Sequence, residues 1–270
     1  QSFKEIMQAG LECIGDVDEY IICETLYLAA KSLESISADF ILDISDMEII
    51  SEEIKALAIS PSGEKEILKC LGEKNIQGIK RVCAAENADR KAAEILVKTA
   101  SLYGGMKKVA SALKEIGFDK ISPYVSALEK IADYFEGSGL EDRIHFDFSV
   151  IHDINYYNGI VFKGFINTIP TGILSGGQYD GLMRKMKRNS SAIGFAVYLD
   201  LLERLPGDEE KFDVDALLLY DERADAKTVK QAVDMLSEKN ISVSAQKKIP
   251  ENLRYMSLYR LGKGGPEKVE

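Results

Sequence analysis

The sequence has few of the side chains from which metal sites and disulfide frameworks are built. Its 270 residues include two histidines, His145 and His152, and four cysteines. The cysteines are scattered without a Cys-x-x-Cys pair, at Cys13, Cys23, Cys70 and Cys83. A chain of this length buries enough surface to fold without crosslinks. We therefore interpret the cysteines as free thiols of a cytoplasmic protein, and we predict no metal site.

Long hydrophobic runs and excess positive charge are also missing. The apolar stretch 20–30 contains Glu24 and falls well short of the roughly 18 residues that a membrane span needs. The 34 basic and 44 acidic residues give a formal net charge of −10, which disfavours extended contact with a phosphate backbone. The composition therefore predicts a soluble globular protein that associates with neither membranes nor RNA.

Hydrophobic periodicity predicts a sheet that is interrupted by helices. Residues 1–16 alternate in polarity as a strand does, and residues 18–33 have helical spacing behind Asp16 or Asp18 as N-cap. We predict a second strand, beside the first, at 39–44. Helical periodicity then runs from 47 to about 139. Strand-like sequence returns at 144–151, 159–169 and 172–174, followed by predicted helices at 181–188 and 198–204.

A charged segment, 206–211, separates this pattern from a smaller one. The smaller pattern predicts strands at 215–220, 241–245 and near 253–261, with a helix at 226–239. We thus expect an α+β fold in two domains. The first, 1–205, has an antiparallel sheet core with a helical insertion at about 47–139, and the second, 211–270, is a small α/β domain.

The opening strand carries a polar pair in the segment Gln8-Ala9-Gly10-Leu11-Glu12. Side chains alternate across a strand, so Gln8 and Glu12 share one face. An amide and a carboxylate placed in this way can hold an ammonium or imidazole group of a ligand. A solvent-exposed strand face explains the same residues.

A second segment places Tyr156 and Tyr157 before an Asn-Gly turn and the apolar strand that begins at Ile160. Adjacent strand residues face opposite ways, so at most one of these tyrosines lines a given pocket. A tyrosine supplies a flat apolar wall and one hydroxyl, which suit a small planar ligand. A hairpin with one buried and one surface tyrosine is the alternative.

A third segment, Gly176-Gly177-Gln178-Tyr179-Asp180-Gly181-Leu182, combines paired glycines with a tyrosine. Glycines allow the backbone to approach a ligand or another strand closely. The same residues are also common in turns. The segment is followed at 191–197 by Ser-Ala-Ile-Gly-Phe-Ala-Val.

In order and spacing, these three segments resemble the class II synthetase-like core shared by histidyl-tRNA synthetases and the regulatory subunits of ATP phosphoribosyltransferase. The opening strand is similar to the second half of the family's motif 2, the tyrosine pair to its Arg-Gly-Leu-Asp-Tyr-Tyr-Thr-Gly loop, and the third segment to Gly-Gly-Arg-Tyr-Asp-Gly-Leu. The resemblance implies a partly retained histidine pocket formed by Gln8, Glu12, Tyr156, Tyr157 and Tyr179. It also implies that a partner strand, a dimerisation helix and further histidine contacts precede Gln1.

The departures from the synthetase pattern replace two of its arginines by residues that do not carry a permanent positive charge. His152 stands where the loop has arginine, and Asn155 stands where it has aspartate; Leu201 falls at the arginine of motif 3, in a segment where Tyr198 replaces glycine. An imidazole cannot replace the bidentate contact of a guanidinium. Adenylate formation needs such cations on its phosphates, so amino-acid activation is not expected.

The resemblance therefore favours a non-catalytic regulatory subunit without a cofactor. It implies a short-form ATP phosphoribosyltransferase catalytic subunit as partner, self-association through the synthetase-like core, and histidine as effector in the first step of histidine biosynthesis. The second domain resembles a shortened anticodon-binding domain without an evident tRNA footprint. Two alternatives stay open, a histidyl-tRNA synthetase or related histidine-activating enzyme, and a stand-alone amino-acid sensor.

Overall fold

The computed structural model describes residues 6–151, 157–205, 212–238, 241–262 and 264–269. The chain separates into two compact units, Gln1–Leu205 and Pro206–Glu270. The strands of the larger unit are β1 Gln8–Gly15, β2 Phe40–Asp46, β3 Tyr103–Gly105, β4 Ile144–Asp147, β5 Ile160–Ile166, β6 Leu174–Gln178 and β7 Ser191–Tyr198. Its helices are α1 Glu19–Ile36, α2 Met47–Leu57, α3 Pro61–Gly72, α4 Ile76–Ala85, α5 Arg90–Ala100, α6 Met106–Ile116, α7 Ser122–Tyr134 and α8 Asp180–Lys185.

The described strands of the larger unit form one seven-stranded sheet in the order β1-β7-β6-β5-β2-β4-β3. Neighbouring strands are antiparallel except β2 and β4, which are parallel. The predicted α+β class with a largely antiparallel sheet is confirmed. The prediction that β2 lies beside β1 was wrong, because β1 pairs with β7 and β2 pairs with β5 and β4. Strand order depends on pairing between distant segments, which local periodicity does not reveal.

One face of the sheet is covered by α1. Asp18 is the N-cap of this helix, and its carboxylate accepts a hydrogen bond from the backbone N–H of Ile21 at 2.9 Å. Such caps stabilise a helix by about 1 kcal/mol. Leu26 and Leu33 of α1 are fully buried. A Cβ at Gly164 of β5 would lie 2.6 Å from a methyl carbon of Leu33, so this glycine allows the helix to pack closely on the sheet.

The insertion between β2 and β4 is built from α2 to α7. Side-chain caps begin four of its helices, with Asp46, Ser60, Asn75 and Asp89 accepting from backbone N–H groups at α2, α3, α4 and α5. The segment Tyr103–Gly105 forms β3 and pairs with β4 at the edge of the sheet. Two strands, β3 and β4, thus attach the insertion to the sheet.

Several predicted boundaries differ from the observed ones. The strand predicted at 172–174 is β6, Leu174–Gln178, and the helix predicted at 181–188 is the shorter α8. Residues Leu199–Arg204 form a 3-10 helix rather than an α-helix. In each case the segment either contains glycines, which interrupt the hydrophobic periodicity, or is too short for the periodicity to define its ends.

The smaller unit contains β8 Val214–Leu219, α9 Ala226–Ser237, β9 Val243–Gln246, β10 Tyr255–Gly262 and β11 Gly265–Lys268. Its described strands form a four-stranded sheet in the order β11-β10-β8-β9. Both neighbours of β8 run parallel to it, and β11 pairs antiparallel to β10. The sequence did not predict β11, which is short and contains Pro266.

The buried glycine pair of β6 yields a stability prediction. A Cβ at Gly176 would lie 2.5 Å from the carbonyl oxygen of Gly194 and 2.6 Å from the side chains of Phe162 and Phe195. We expect Gly176→Ala to lower the free energy of unfolding by about 1–3 kcal/mol, because the added methyl group would force both the backbone at Gly194 and the side chains of Phe162 and Phe195 to move. Urea denaturation measures the change. Gly72→Ala is the matched control: nothing lies within 4 Å of its Cβ position, so stability should stay the same or rise. Equal behaviour of the two variants would contradict the tight packing.

Candidate functional site

The candidate site lies on the face of the sheet opposite α1. Leu11 and Cys13 of β1 pack against the large hydrophobic core, which includes Leu26 and Leu33 of α1. Strand side chains alternate between faces, so Gln8, Gly10 and Glu12 point to the other side. On β7 they lie opposite Tyr198, Ala196 and Gly194, in that order. On β6, Ser175 lies opposite Ala196, and Gly177 lies opposite Gly194. The middle of this face is therefore built of small residues.

Two of these glycines leave space for the site side chains. A Cβ at Gly194 would lie 2.0 Å from Oε2 of Glu12. A Cβ at Gly177 would lie 2.9 Å from Cδ1 of Tyr157. A Cβ at either position would displace the carboxylate of Glu12 or the ring of Tyr157, so glycine at both positions allows these side chains to lie across the strands.

Glu12 and two tyrosines meet above these glycines. The hydroxyl of Tyr179 donates a hydrogen bond to Oε2 of Glu12. Tyr179 is 7% exposed, and its ring packs edge-on against that of Tyr157, with centroids 6.5 Å apart and planes at 88°. A carboxylate, a phenol hydroxyl and two ring surfaces thus converge, a set that suits a small cationic, partly planar ligand.

A hydrogen-bonded framework behind the tyrosines fixes their positions. Oδ1 of Asn158 accepts from the backbone N–H of Gly181 at 3.0 Å, and Oε1 of Gln178 accepts from that of Ile160 at 2.8 Å. Oδ1 of Asp180 accepts from the N–H of Ala192 at 2.9 Å. Gly159 has φ +69°, the left-handed region that favours glycine. The sequence suggested turn chemistry here; it gave no sign that these polar groups tie three segments together.

Of the other predicted site residues, the structure describes Gln8 and Leu201. Gln8 lies on the same face as Glu12, opposite Tyr198, and is exposed. Tyr156, His152 and Asn155 lie outside the described residues.

Leu201 lies in the 3-10 helix Leu199–Arg204, half-buried and packed against the large core. The N–H of Leu199 donates to the carbonyl oxygen of Met7 at 2.9 Å, so this helix lies beside the start of β1. A position that holds arginine in the synthetase motif is thus occupied here by an apolar side chain that contributes to packing.

A second polar cluster on this face was missed by the sequence analysis. Asp43 of β2 lies opposite His145 of β4, and Tyr103 of β3 has its hydroxyl 3.0 Å from Nδ1 of His145. Lys74, which follows α3, pairs with Asp147 at 2.7 Å. Burial, followed by the charge of Asp147, raises the pKa of Asp43 to about 7, and burial lowers the pKa of His145. The cluster joins the insertion to the sheet.

Metal ligands do not gather in the part of the chain that the structure describes. No group of three or more His, Cys, Asp or Glu side chains there is placed to hold an ion. Among the described residues, none of the helices is long and apolar enough to cross a membrane.

The sheet, the small residues on its open face and the helices on its other face define a class II aminoacyl-tRNA synthetase-like fold. A solved structure with this fold, described as an ATP phosphoribosyltransferase regulatory subunit/histidyl-tRNA synthetase from Bacillus halodurans, matches with a TM-score of 0.68 at 24% identity. The match covers 89% of this chain and 62% of that one. The model of the family described as histidyl-tRNA synthetase matches residues 1–202. The chain therefore belongs to the histidyl-tRNA synthetase family, and the resemblance seen in the motifs is confirmed.

Two further proteins are similar to the chain. The ATP phosphoribosyltransferase regulatory subunit of Caldanaerobacter subterraneus subsp. tengcongensis is 28% identical over 198 residues, which cover 73% of this chain and 52% of that protein. An ATP phosphoribosyl transferase complex from Thermotoga maritima contains a chain that matches with a TM-score of 0.57 at 15% identity, over 72% of this chain and 66% of that one. The chain thus spans about half the length of the Caldanaerobacter relative.

Proposed function

We propose that the chain is a non-catalytic regulatory subunit of ATP phosphoribosyltransferase, acting in the first step of histidine biosynthesis. One observation carries the proposal: Glu12, Tyr157 and Tyr179 form one cluster, whereas the half-buried Leu201 packs against the core where the synthetase motif has a cation. The site keeps ligand-binding groups and lacks a group for phosphate chemistry at that position. The name of the Caldanaerobacter relative supports this function.

Amino-acid activation needs positive charge around the phosphates of ATP as bonds to phosphorus form and break. A leucine side chain offers none. We therefore assign no catalytic residue, no cofactor and no metal to the chain. The net charge of −10 agrees with a protein that does not handle tRNA.

The proposed ligand of the open sheet face is histidine. Glu12 accepts hydrogen bonds from N–H groups of its ammonium or imidazole, and the hydroxyl oxygen of Tyr179, whose proton is donated to Glu12, accepts a further one. Gln8 adds an amide, and Tyr157 supplies an apolar wall; Tyr156 belongs to the same proposal. Feedback regulation follows if histidine binds one state of the complex better than another. A coupling of about 1–3 kcal/mol is sufficient for this.

The proposed partner is the short-form catalytic subunit, in a cytoplasmic complex that also contains further copies of this chain. Its test is to co-purify tagged chain with that catalytic subunit from one expression host and to titrate the complex with histidine by calorimetry. Complex formation, raised phosphoribosyltransferase activity and saturable histidine binding are expected. Failure of the catalytic subunit to co-purify would refute the assignment, and absence of histidine binding would refute the effector role.

A histidyl-tRNA synthetase or related histidine-activating enzyme is the second candidate, favoured by the match of the family model to residues 1–202. Histidine-dependent exchange of pyrophosphate with ATP distinguishes the two. We expect no exchange above background with the chain alone or in the complex, since Leu201 cannot stabilise the reacting phosphates.

A further inference from the structure

An open groove crosses the insertion between α4 and α5. It encloses about 510 Å³, and its floor is formed by small or apolar residues, among them Cys83, Ala88, Ala93 and Val97. Cys83 is 6% exposed, and the other three are partly buried against the core. The floor is thus a continuation of the core that the chain leaves accessible.

The rim of the groove is basic although the chain as a whole is acidic. Lys80 lines one side, and Arg90 and Lys98 line the other, with Glu94 between them. Glu94 is paired with Arg90 at 3.3 Å. Lys80 and Lys98 have no ion-pair partner among the described residues, so their charges are available to a molecule in the groove.

The acidic side chains of α4, α5 and their connection are all engaged within the chain. Glu86 accepts hydrogen bonds from the backbone and hydroxyl of Ser60 at 3.2 and 2.9 Å. Asp89 caps α5 by accepting from the N–H of Ala92 at 2.8 Å. With Glu94 paired as well, the helical pair presents unpaired positive charge around an apolar floor. In a protein of net charge −10, this is a local reversal of sign.

The groove has the length of a short helix. The helix α5 has 11 residues, which span about 17 Å at 1.5 Å per residue. Beyond Val97 and Lys98 the surface continues into a second depression of about 420 Å³ toward α6, where Leu102 and Ile116 extend the apolar floor. Glu115 lines that far end, which confines the basic rim to the α4–α5 side.

An apolar floor with a cationic rim fits one kind of occupant, an amphipathic helix with acidic residues beside its apolar face. We propose that the α4–α5 groove docks such a helix of the catalytic phosphoribosyltransferase chain; the identity of the partner rests on the proposed function above. A second copy of this chain is also acidic, and the light scattering described below distinguishes it from the catalytic chain. The insertion thereby becomes the contact through which the subunit reaches its partner.

The experiment compares binding of the short-form catalytic chain to the unsubstituted chain and to two double variants. Lys80→Glu/Lys98→Glu reverses the rim. Lys65→Glu/Lys108→Glu makes the same change in net charge on exposed residues of α3 and α6, outside the groove. At about 50 mM salt we expect the rim variant to bind at least about 10-fold more weakly and the control to change less than about 2-fold, with the difference shrinking at high salt.

A third variant distinguishes docking on the apolar floor of the groove from attraction by charge alone. Ala93→Lys adds positive charge but fills the floor, so docking predicts weaker binding, whereas charge attraction alone predicts stronger binding. Circular dichroism melting checks that each variant is folded. If all variants bind the catalytic chain like the unsubstituted chain, the groove proposal is overturned and the proposed function stands; if the unsubstituted chain does not bind at all, both fail. Light scattering that shows the rim variant to change only the self-association of this chain would assign the groove to a second copy and overturn the proposal.

Discussion

The free energy of unfolding of the larger unit should fall as pH is raised from 5 to 8, and Glu53→Gln should remove on the order of 3 kcal/mol of that fall. Glu53 of α2 is 1% exposed. Its Oε1 accepts from the hydroxyl of Thr99 of α5 at 2.6 Å, and its Oε2 has no hydrogen-bond partner among the described residues. The carboxyl is thus placed where a charge is poorly solvated.

The sign of the pH dependence follows from the direction of the shift. Burial raises the pKa of Glu53 from its ordinary value of 4.5 to about 7, and the hydrogen bond from Thr99 opposes this. Between these values the unfolded chain has lost the proton while the folded chain keeps it. Folding then becomes less favourable by about 1.4 kcal/mol per pH unit. The contribution of Glu53 to the free energy of unfolding is therefore fully present below pH 4.5 and is lost between pH 4.5 and about pH 7.

Urea denaturation at pH 5, 6, 7 and 8 tests this prediction. A glutamine at position 53 keeps an acceptor for Thr99 and carries no proton to lose. Asp43 and Asp46, whose pKa values burial also raises to about 7, remain in both proteins and retain part of the pH dependence. Glu115→Gln, at an exposed position of α6, should leave the unsubstituted pH profile intact. A difference between Glu53→Gln and the unsubstituted chain that is constant across this range would contradict the buried charge.

The local elements were predictable because their signals lie within a few residues. Alternation over 1–16 was sufficient to predict the strand β1, and helical spacing over 18–33 behind Asp16 or Asp18 was sufficient to predict α1. The order of strands was not predictable, since β2 and β5 are separated by the whole insertion and pair through main-chain groups. Pairing between distant segments leaves no period in the sequence.

The candidate site shows the same division. Its tyrosines and glycines were identified because they cluster along the chain at positions 157 and 176–179. The cluster of Asp43, Lys74, Tyr103 and His145 was missed, because each of these residues comes from a different segment and none is unusual where it stands. The burial of Glu53 was missed for a related reason. Glu53 lies on the face of α2 that packs against α5, and a buried helix face is expected to carry apolar residues.

Replacing Tyr179 by phenylalanine should weaken histidine binding by about 10- to 100-fold, and Glu12→Gln should weaken it by a smaller factor, because Glu12 is exposed. Hydrogen bonds to charged groups contribute about 1.5–3 kcal/mol when they are shielded from water, and Tyr179 is 7% exposed. The Tyr179 hydroxyl also orients Glu12 through their hydrogen bond. The two effects should therefore not add in the double variant, which we expect to lose less affinity than the product of the single losses.

Calorimetric titration of the complex with histidine measures these losses. The chain contains its own control in α1, where the hydroxyl of Tyr20 donates to Oε1 of Glu24 at 2.9 Å on an exposed surface. Tyr20→Phe and Glu24→Gln remove the same kind of pair at a position away from the open sheet face, so histidine affinity should change less than about 2-fold. If Tyr179→Phe binds histidine as tightly as Tyr20→Phe does, the ligand is not held by Glu12 and Tyr179, and the open sheet face is not the histidine site.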